Sequence, residues 1–327
     1  MNKLSSECDK IFKKAESSLK TSFFSLKFSP DYVSATTYFQ EAGKGYLELK
    51  NYDKSIVAFL RAAECDKKVH DTWAEATNYE EIAKIYLLEK DDFTNGLKYL
   101  KQCSYCYQVA GKAICAPRLY LDLSCKLKEK EKIKNSILLL QEAFNEGYDT
   151  SHDDLARIML EEIHVKLLDL FCMNEQYVLA CDITEKMIKM QTDMKIERKN
   201  KITKNYSRIV MLRIIMNEEY LCEGIIEKMY SVYDSSCGDD IEDIKILFQY
   251  YNACNKQKFN STITYSFELY ENNLLKRLKS AFDKRFISFS QSNMQNANNI
   301  DVVEKIDVNV NDFQEKPENS DFADNWK

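Results

Sequence analysis

Three histidines, one Cys-x-x-Cys, a Gly-Lys-Gly triplet and a few adjacent carboxylates are the residues of this chain that could perform chemistry. Metal binding would need His, Cys or carboxylate ligands at helical or zinc-site spacing. His70, His152 and His164 have no helical partner at such spacing, and no His-Glu-x-x-His occurs. Cys103-Ser104-Tyr105-Cys106 has no second pair at zinc-site distance and falls inside an expected helix, where its cysteines would pack. Gly43-Lys44-Gly45 lacks the spacing and the Lys-Ser/Thr of a phosphate loop, and reads as a point of close helix packing. Asp91-Asp92, Glu161-Glu162 and Asp239-Asp240 stand at turns or on helix surfaces without evident partners. No catalytic set emerges. The residues therefore predict no enzyme, no cofactor, no metal and no small-molecule substrate.

The elements that would carry any function are helices. In Asp31–Ala63, apolar and small residues at Tyr32, Ala35, Tyr38, Phe39, Ala42, Tyr46 and Leu49 recur at three-and-four spacing. Asn51-Tyr52-Asp53 interrupts them, and Ile56, Ala58, Phe59, Leu60, Ala62 and Ala63 begin a second pattern. This is a helix, a tight turn and an antiparallel helix, which alone cannot bury both apolar faces. Six such turns, each followed by an apolar residue, lie at Tyr52, Phe93, Ile133, Tyr177, Tyr220 and Phe259, at intervals of 41, 40, 44, 43 and 39 residues. A register held near 40 residues is that of stacked helix pairs, longer per unit than the tetratricopeptide consensus. Only 7 glycines and 3 prolines in 327 residues fit helices joined by short turns. The expected fold is all-α, a right-handed superhelical solenoid of antiparallel tetratricopeptide-like helix pairs. An amphipathic helix over residues 3–20 precedes it, and Asn272–Phe286 forms a C-terminal helical cap. Residues 1–287 would form this body.

Residues 288–327 turn to Asn, Ser, Gln and Asp with isolated hydrophobes, and read as a disordered acidic tail. Of the formal net charge of −6, the segment 291–327 carries −5, so the body is nearly neutral and lacks the basic excess of a nucleic-acid binder. No apolar run is long enough to span a membrane, and the start lacks the apolar core of a signal peptide. Eleven cysteines without framework spacing read as reduced, with Cys65, Cys125, Cys181 and Cys254 at apolar helix positions. The expected compartment is the cytoplasm.

Two features could bind partners. Phe23, Phe24, Leu26 and Phe28, within the loop 21–30 and beside Lys20 and Lys27, either pack under the first helix pair or dip into a bilayer interface. Arg118, Lys204 and Lys245 fall about 14–16 residues before three of the six turn markers, near first-helix starts. They are either ordinary surface charges or a stripe that grips an acidic, rod-like partner. The basic run Lys195–Lys204 reads as a solvated linker.

Three stretches then resemble the soluble NSF attachment proteins, and among them the gamma class: AESSLKTSFFSLKFSPDYVSA (15–35), the hairpin YFQEAGKGYLELKNYDKSIVAFLRAA (38–63), and Glu185–Leu221. The resemblance covers roughly residues 1–285 and rests on the order and spacing of all three. It implies a non-enzymatic adaptor that lies along a SNARE four-helix bundle and recruits the hexameric N-ethylmaleimide-sensitive fusion ATPase for disassembly after vesicle fusion. It also implies peripheral membrane association through Phe23, Phe24, Leu26 and Phe28, and SNARE contact through Arg118, Lys204 and Lys245. The better-known alpha class ends in acidic residues and a near-terminal leucine. Here Asp321, Asp324 and Trp326 stand at the end with no leucine, as candidate ATPase contacts. The alternative is a tetratricopeptide-like peptide-binding scaffold, such as a co-chaperone, to which the long period is unfavourable.

Overall fold

The computed structural model describes residues 2–21, 28–150, 154–193, 199–232 and 238–303. Helix α1 (Asn2–Leu19) leads into α2 (Tyr32–Glu48), α3 (Tyr52–Lys68), α4 (Thr72–Lys84) and α5 (Phe93–Val109). Next come α6 (Cys115–Glu129), α7 (Ile133–Thr150), α8 (Asp154–Met173) and α9 (Tyr177–Thr192). The chain ends with α10 (Lys199–Ile215), α11 (Cys222–Val232), α12 (Gly238–Asn252), α13 (Lys256–Ser266) and α14 (Asn272–Val303). A π-helical turn, Ile85–Glu89, extends α4, and a 3-10 turn, Glu219–Leu221, precedes α11. Every helix packs on the next in chain order, which is the expected all-α stack of pairs.

One turn is used repeatedly. Lys50, Asp91, Glu131, Glu175, Asn217 and Cys254 all adopt positive φ, between 51° and 61°. At Lys50 the Asn51 amide donates back to Tyr46 O at 2.8 Å and the Lys50 amide to Leu47 O at 2.9 Å, the Schellman pattern. The same pair recurs around Glu131, Glu175, Asn217 and Cys254. The residue after the left-handed one then caps the next helix: Asn51, Asp92 and Asn255 accept from the amides of Lys54, Asn95 and Lys258. Four of the six apolar markers, Tyr52, Phe93, Ile133 and Tyr177, are the first residues of second helices. Tyr220 lies instead in the 3-10 turn, and Phe259 is already inside α13. Turn chemistry keeps the register better than the apolar marker does. An L-residue at such a position costs on the order of 1 kcal/mol that glycine avoids. Glu131→Gly should therefore raise the melting temperature and Glu131→Val should lower it; the reverse order in thermal melts would refute the turn assignment.

Small residues let α1, α2 and α3 approach. Ala35, Ala42, Ala58 and Ala62 are fully buried. A Cβ on Gly43 would stand 3.1 Å from the Phe59 ring, and one on Gly45 would stand 2.5 Å from Cys8 Sγ, so the Gly-Lys-Gly triplet marks close packing. One continuous core runs from Ala76 to Phe282, while α1–α3 hold smaller clusters of their own. Ile56, Phe59, Ile82 and Ile85 fill the seam between the two. A polar chain crosses the same seam. Asp66 accepts from Thr36 Oγ1 at 2.8 Å and Asn78 Nδ2 at 2.6 Å, and Asn78 Oδ1 accepts from Gln40 at 3.1 Å.

Three expectations need correction. Helix α14 continues to Val303, past the boundary expected at 288, and residues 304–327 lie outside those described. Lys195–Lys204 is not all linker: from Lys199 it is the start of α10, with Ile202 and Thr203 buried. Cys125 is exposed, whereas Cys65, Cys181 and Cys254 are buried as expected.

Candidate functional site

The helix ends on either side of the aromatic segment are both fixed. On one side α1 is held by Tyr46 donating to Asp9 at 2.6 Å, by Lys54 paired with Asp9 at 2.7 Å, and by the edge-to-face rings of Phe12 and Phe39 at 5.0 Å. On the other, Asp31 caps α2 by accepting from the Ser34 amide, while its own amide donates to Ser18 O at the end of α1. Phe23, Phe24 and Leu26 lie outside the described residues. Phe28 is described and is 69% exposed.

The three basic residues sit on α6, α10 and α12 at different depths. Arg118 is exposed near the start of α6. Lys245 is partly exposed, 3.7 Å from Glu242 and with its ammonium over the Tyr230 ring at 5.5 Å. Lys204 is half-buried: its ammonium stands 4.7 Å over the Tyr270 ring. Burial first, and the neighbouring Arg208 second, pull its pKa down. The structure thus brings Lys204 under the segment joining α13 to α14 and does not bring it together with Arg118.

That segment belongs to a centre the sequence analysis missed. Arg208, on α10, is buried against Glu271, whose two carboxylate oxygens accept from Nε at 3.1 and 3.0 Å and also from an η nitrogen. Its other η nitrogen donates to Asn205 Oδ1 at 2.6 Å. Asn205 donates to Gln191 at 2.9 Å, and Gln191 to Glu161 at 3.2 Å, which also pairs with Lys201. The network ties α8, α9, α10 and the start of α14 together. Beside it, His164 is fully enclosed with Nε2 3.1 Å from Thr184 Oγ1; burial, then Arg208, drive its pKa well below the ordinary value. A buried neutral histidine next to a guanidinium is a packing group here.

Helix α14 fastens the same wall from outside. Asn273 donates through its amide and its Nδ2 to Asp169 at 3.1 and 2.9 Å. Arg277 donates to Cys172 O and Met173 O, the last carbonyls of α8, and pairs with Glu175 at 2.7 Å. The expected end cap is therefore a brace laid back along α8 and α10.

The remaining reactive candidates resolve into structure. Cys103 and Cys106 are buried; burial raises both thiols, Cys106 to about 11, so they stay protonated. Asp91 pairs with Lys132 at 2.7 Å, Asp92 caps α5, and Glu161 is in the network above, so these carboxylates do have partners. His70 takes the left-handed position of the α3–α4 turn at φ 58°, and His152 lies outside the described residues. Among the described residues no three His, Cys, Asp or Glu converge as a metal site, and no helix is long and apolar enough to cross a membrane. Asp321, Asp324 and Trp326 lie outside the described residues.

The described residues thus give fixed helix ends on either side of the aromatic segment, exposed charges on first helices, and a braced wall. A family model described as soluble NSF attachment protein, SNAP, matches residues 6–280. No curated protein matches the chain significantly.

Proposed function

Because the chain belongs to the soluble NSF attachment protein family, we propose that it is a non-enzymatic adaptor that binds SNARE complexes and recruits the N-ethylmaleimide-sensitive fusion ATPase for their disassembly. The supporting observation is that the match runs from α1 into the first third of α14, so it takes in every helix of the stack. The gamma class is the finer reading, supported by the hairpin 38–63 and by Glu185–Leu221. Its place in the cell is then the cytoplasm, peripherally attached to membranes through the loop holding Phe23, Phe24, Leu26 and Phe28. Arg118 and Lys245 are the better placed of the three basic residues to meet an acidic bundle, because Lys204 is committed to Tyr270. Acidic recruitment of the ATPase falls to the terminal segment with Asp321, Asp324 and Trp326.

The test is a pull-down on assembled SNARE bundles with the hexameric ATPase, at low salt, using the full chain and a chain ending at Val303 so that α14 is kept. The full chain should form the ternary complex, and the shortened chain should keep the bundle but lose ATPase. Absence of any ternary complex at low salt would overturn the proposal.

A further inference from the structure

Antiparallel helices in chain order put alternate turns on opposite edges of the stack. The turns inside pairs share one edge. The connections between pairs, α1–α2, α3–α4 and α5–α6, share the other, and the first of these is the aromatic loop. Contacts lock these helix ends side by side. Asp31 N donates to Ser18 O, Asp66 near the end of α3 joins Thr36 in the first half of α2 and Asn78 in the middle of α4, and Trp73 at the start of α4 meets Tyr107 at the end of α5, rings 5.2 Å apart.

This edge is unusually apolar for a surface. Trp73 is 45% exposed and Val109 is 56% exposed, and Val33, Val69 and Ile114 are also exposed on it. It is basic as well: Lys20, Lys67, Lys68 and Lys112 are exposed, while Asp31 and Asp71 are occupied in capping α2 and α4. A groove of about 570 Å³ opens beside it, lined by Lys67, His70 and Val109 together with Glu75 and with Lys101, which is paired with Glu142. Exposed Trp and aliphatic groups ringed by lysines suit the boundary between headgroups and acyl chains of an anionic bilayer.

We propose that the inter-pair turns at 69–73 and 109–114 form a rigid strip facing an anionic membrane, on the same edge as the end of α1 and the start of α2. The inference rests on the membrane attachment proposed above. The loop supplies penetration, and the strip fixes the tilt of the solenoid on the surface by adding contacts one and two pairs further along. Trp73 is the marker residue of the strip.

The chain has two tryptophans, so Trp326→Phe leaves Trp73 as the sole reporter. That full-length variant is mixed with vesicles of phosphatidylcholine, with and without phosphatidylserine, and with brominated phosphatidylcholine. Trp73 emission should shift to the blue and be quenched on the serine-containing vesicles. Lys67→Gln with Lys68→Gln should lower partitioning by about fivefold per charge removed, with the helical circular dichroism kept because both side chains are exposed. Suppose instead the chain sediments with vesicles and Phe23→Ser with Phe24→Ser abolishes this, yet Trp73 stays unquenched and the lysine variant binds as before. Then the strip is refuted and loop attachment stands. If the unaltered chain does not sediment at all, attachment fails and the strip with it.

Discussion

Glu271→Ala should cost about 3–5 kcal/mol of folding free energy, the range for stripping the partner from a buried charge. The Arg208 and Glu271 side chains are 7% and 2% exposed, so water cannot replace the carboxylate. Arg208 would keep its charge and retain Asn205 as its polar neighbour at 2.6 Å. The same substitution unfastens the segment through which α14 reaches α10, so amide exchange should quicken in α14 before it does in α4 or α5. Exchanging both partners for apolar residues, Arg208→Met with Glu271→Leu, should restore most of the loss, since a well-packed apolar pair avoids the desolvation cost. Urea denaturation of the three proteins decides the matter. A loss under about 1 kcal/mol for Glu271→Ala would be that of a solvent-exposed pair, and would mean that α14 does not brace this wall.

A second large effect is expected from pH at the other end of the molecule. Asp66 is 3% exposed at the seam between α3 and α4, and burial, helped by the nearby Asp71 and Glu75, raises its pKa to about 6 despite hydrogen bonds from Thr36 and Asn78. The protonated form is thus favoured in the folded state relative to an unfolded aspartate near 3.9. Its contribution to stability is complete below about pH 3.9 and is lost as pH rises through about 6, a change of about 3 kcal/mol. Asp9 and Asp92 are shifted the other way by their hydrogen bonds, chiefly from Lys54 and Asn95 respectively, so the whole protein will not follow Asp66 alone. Comparison with Asp66→Asn separates the terms. Asn cannot ionise, so the stability of the variant relative to the parent should rise by about 3 kcal/mol between pH 4 and pH 7. A difference that stays flat across that interval would show that Asp66 titrates alike in the folded and unfolded chain, so that burial does not raise its pKa.

Both centres show where local pattern stops being informative. The helices and their pairing order follow from apolar spacing within a few residues, and that is why the hairpin 32–68 and the repeat near 40 residues could be read directly. The turns were legible by position but not by mechanism. Lys50, Asp91, Glu131 and Cys254 share the left-handed conformation without sharing a residue type. Phe259 looked like a sixth helix start because an aromatic residue follows a polar stretch there, yet Asn255 is the cap.

The sequence by itself determined that this chain is a stack of helix pairs, because three-and-four spacing and short polar turns are properties of near neighbours. The tertiary structure alone decided that α14 turns back onto α8, with Asn273 bonded to Asp169 at a separation of 104 residues. It also decided that Arg208 meets Glu271 across 63 residues, that Lys204 is sheltered under Tyr270, and that Val69, Trp73, Val109 and Ile114 are left exposed at two inter-pair turns. The reason is the same in each case. A contact between distant segments is set by how successive pairs stack and by the room that stacking leaves, and neither quantity is written in the residues on either side of the contact.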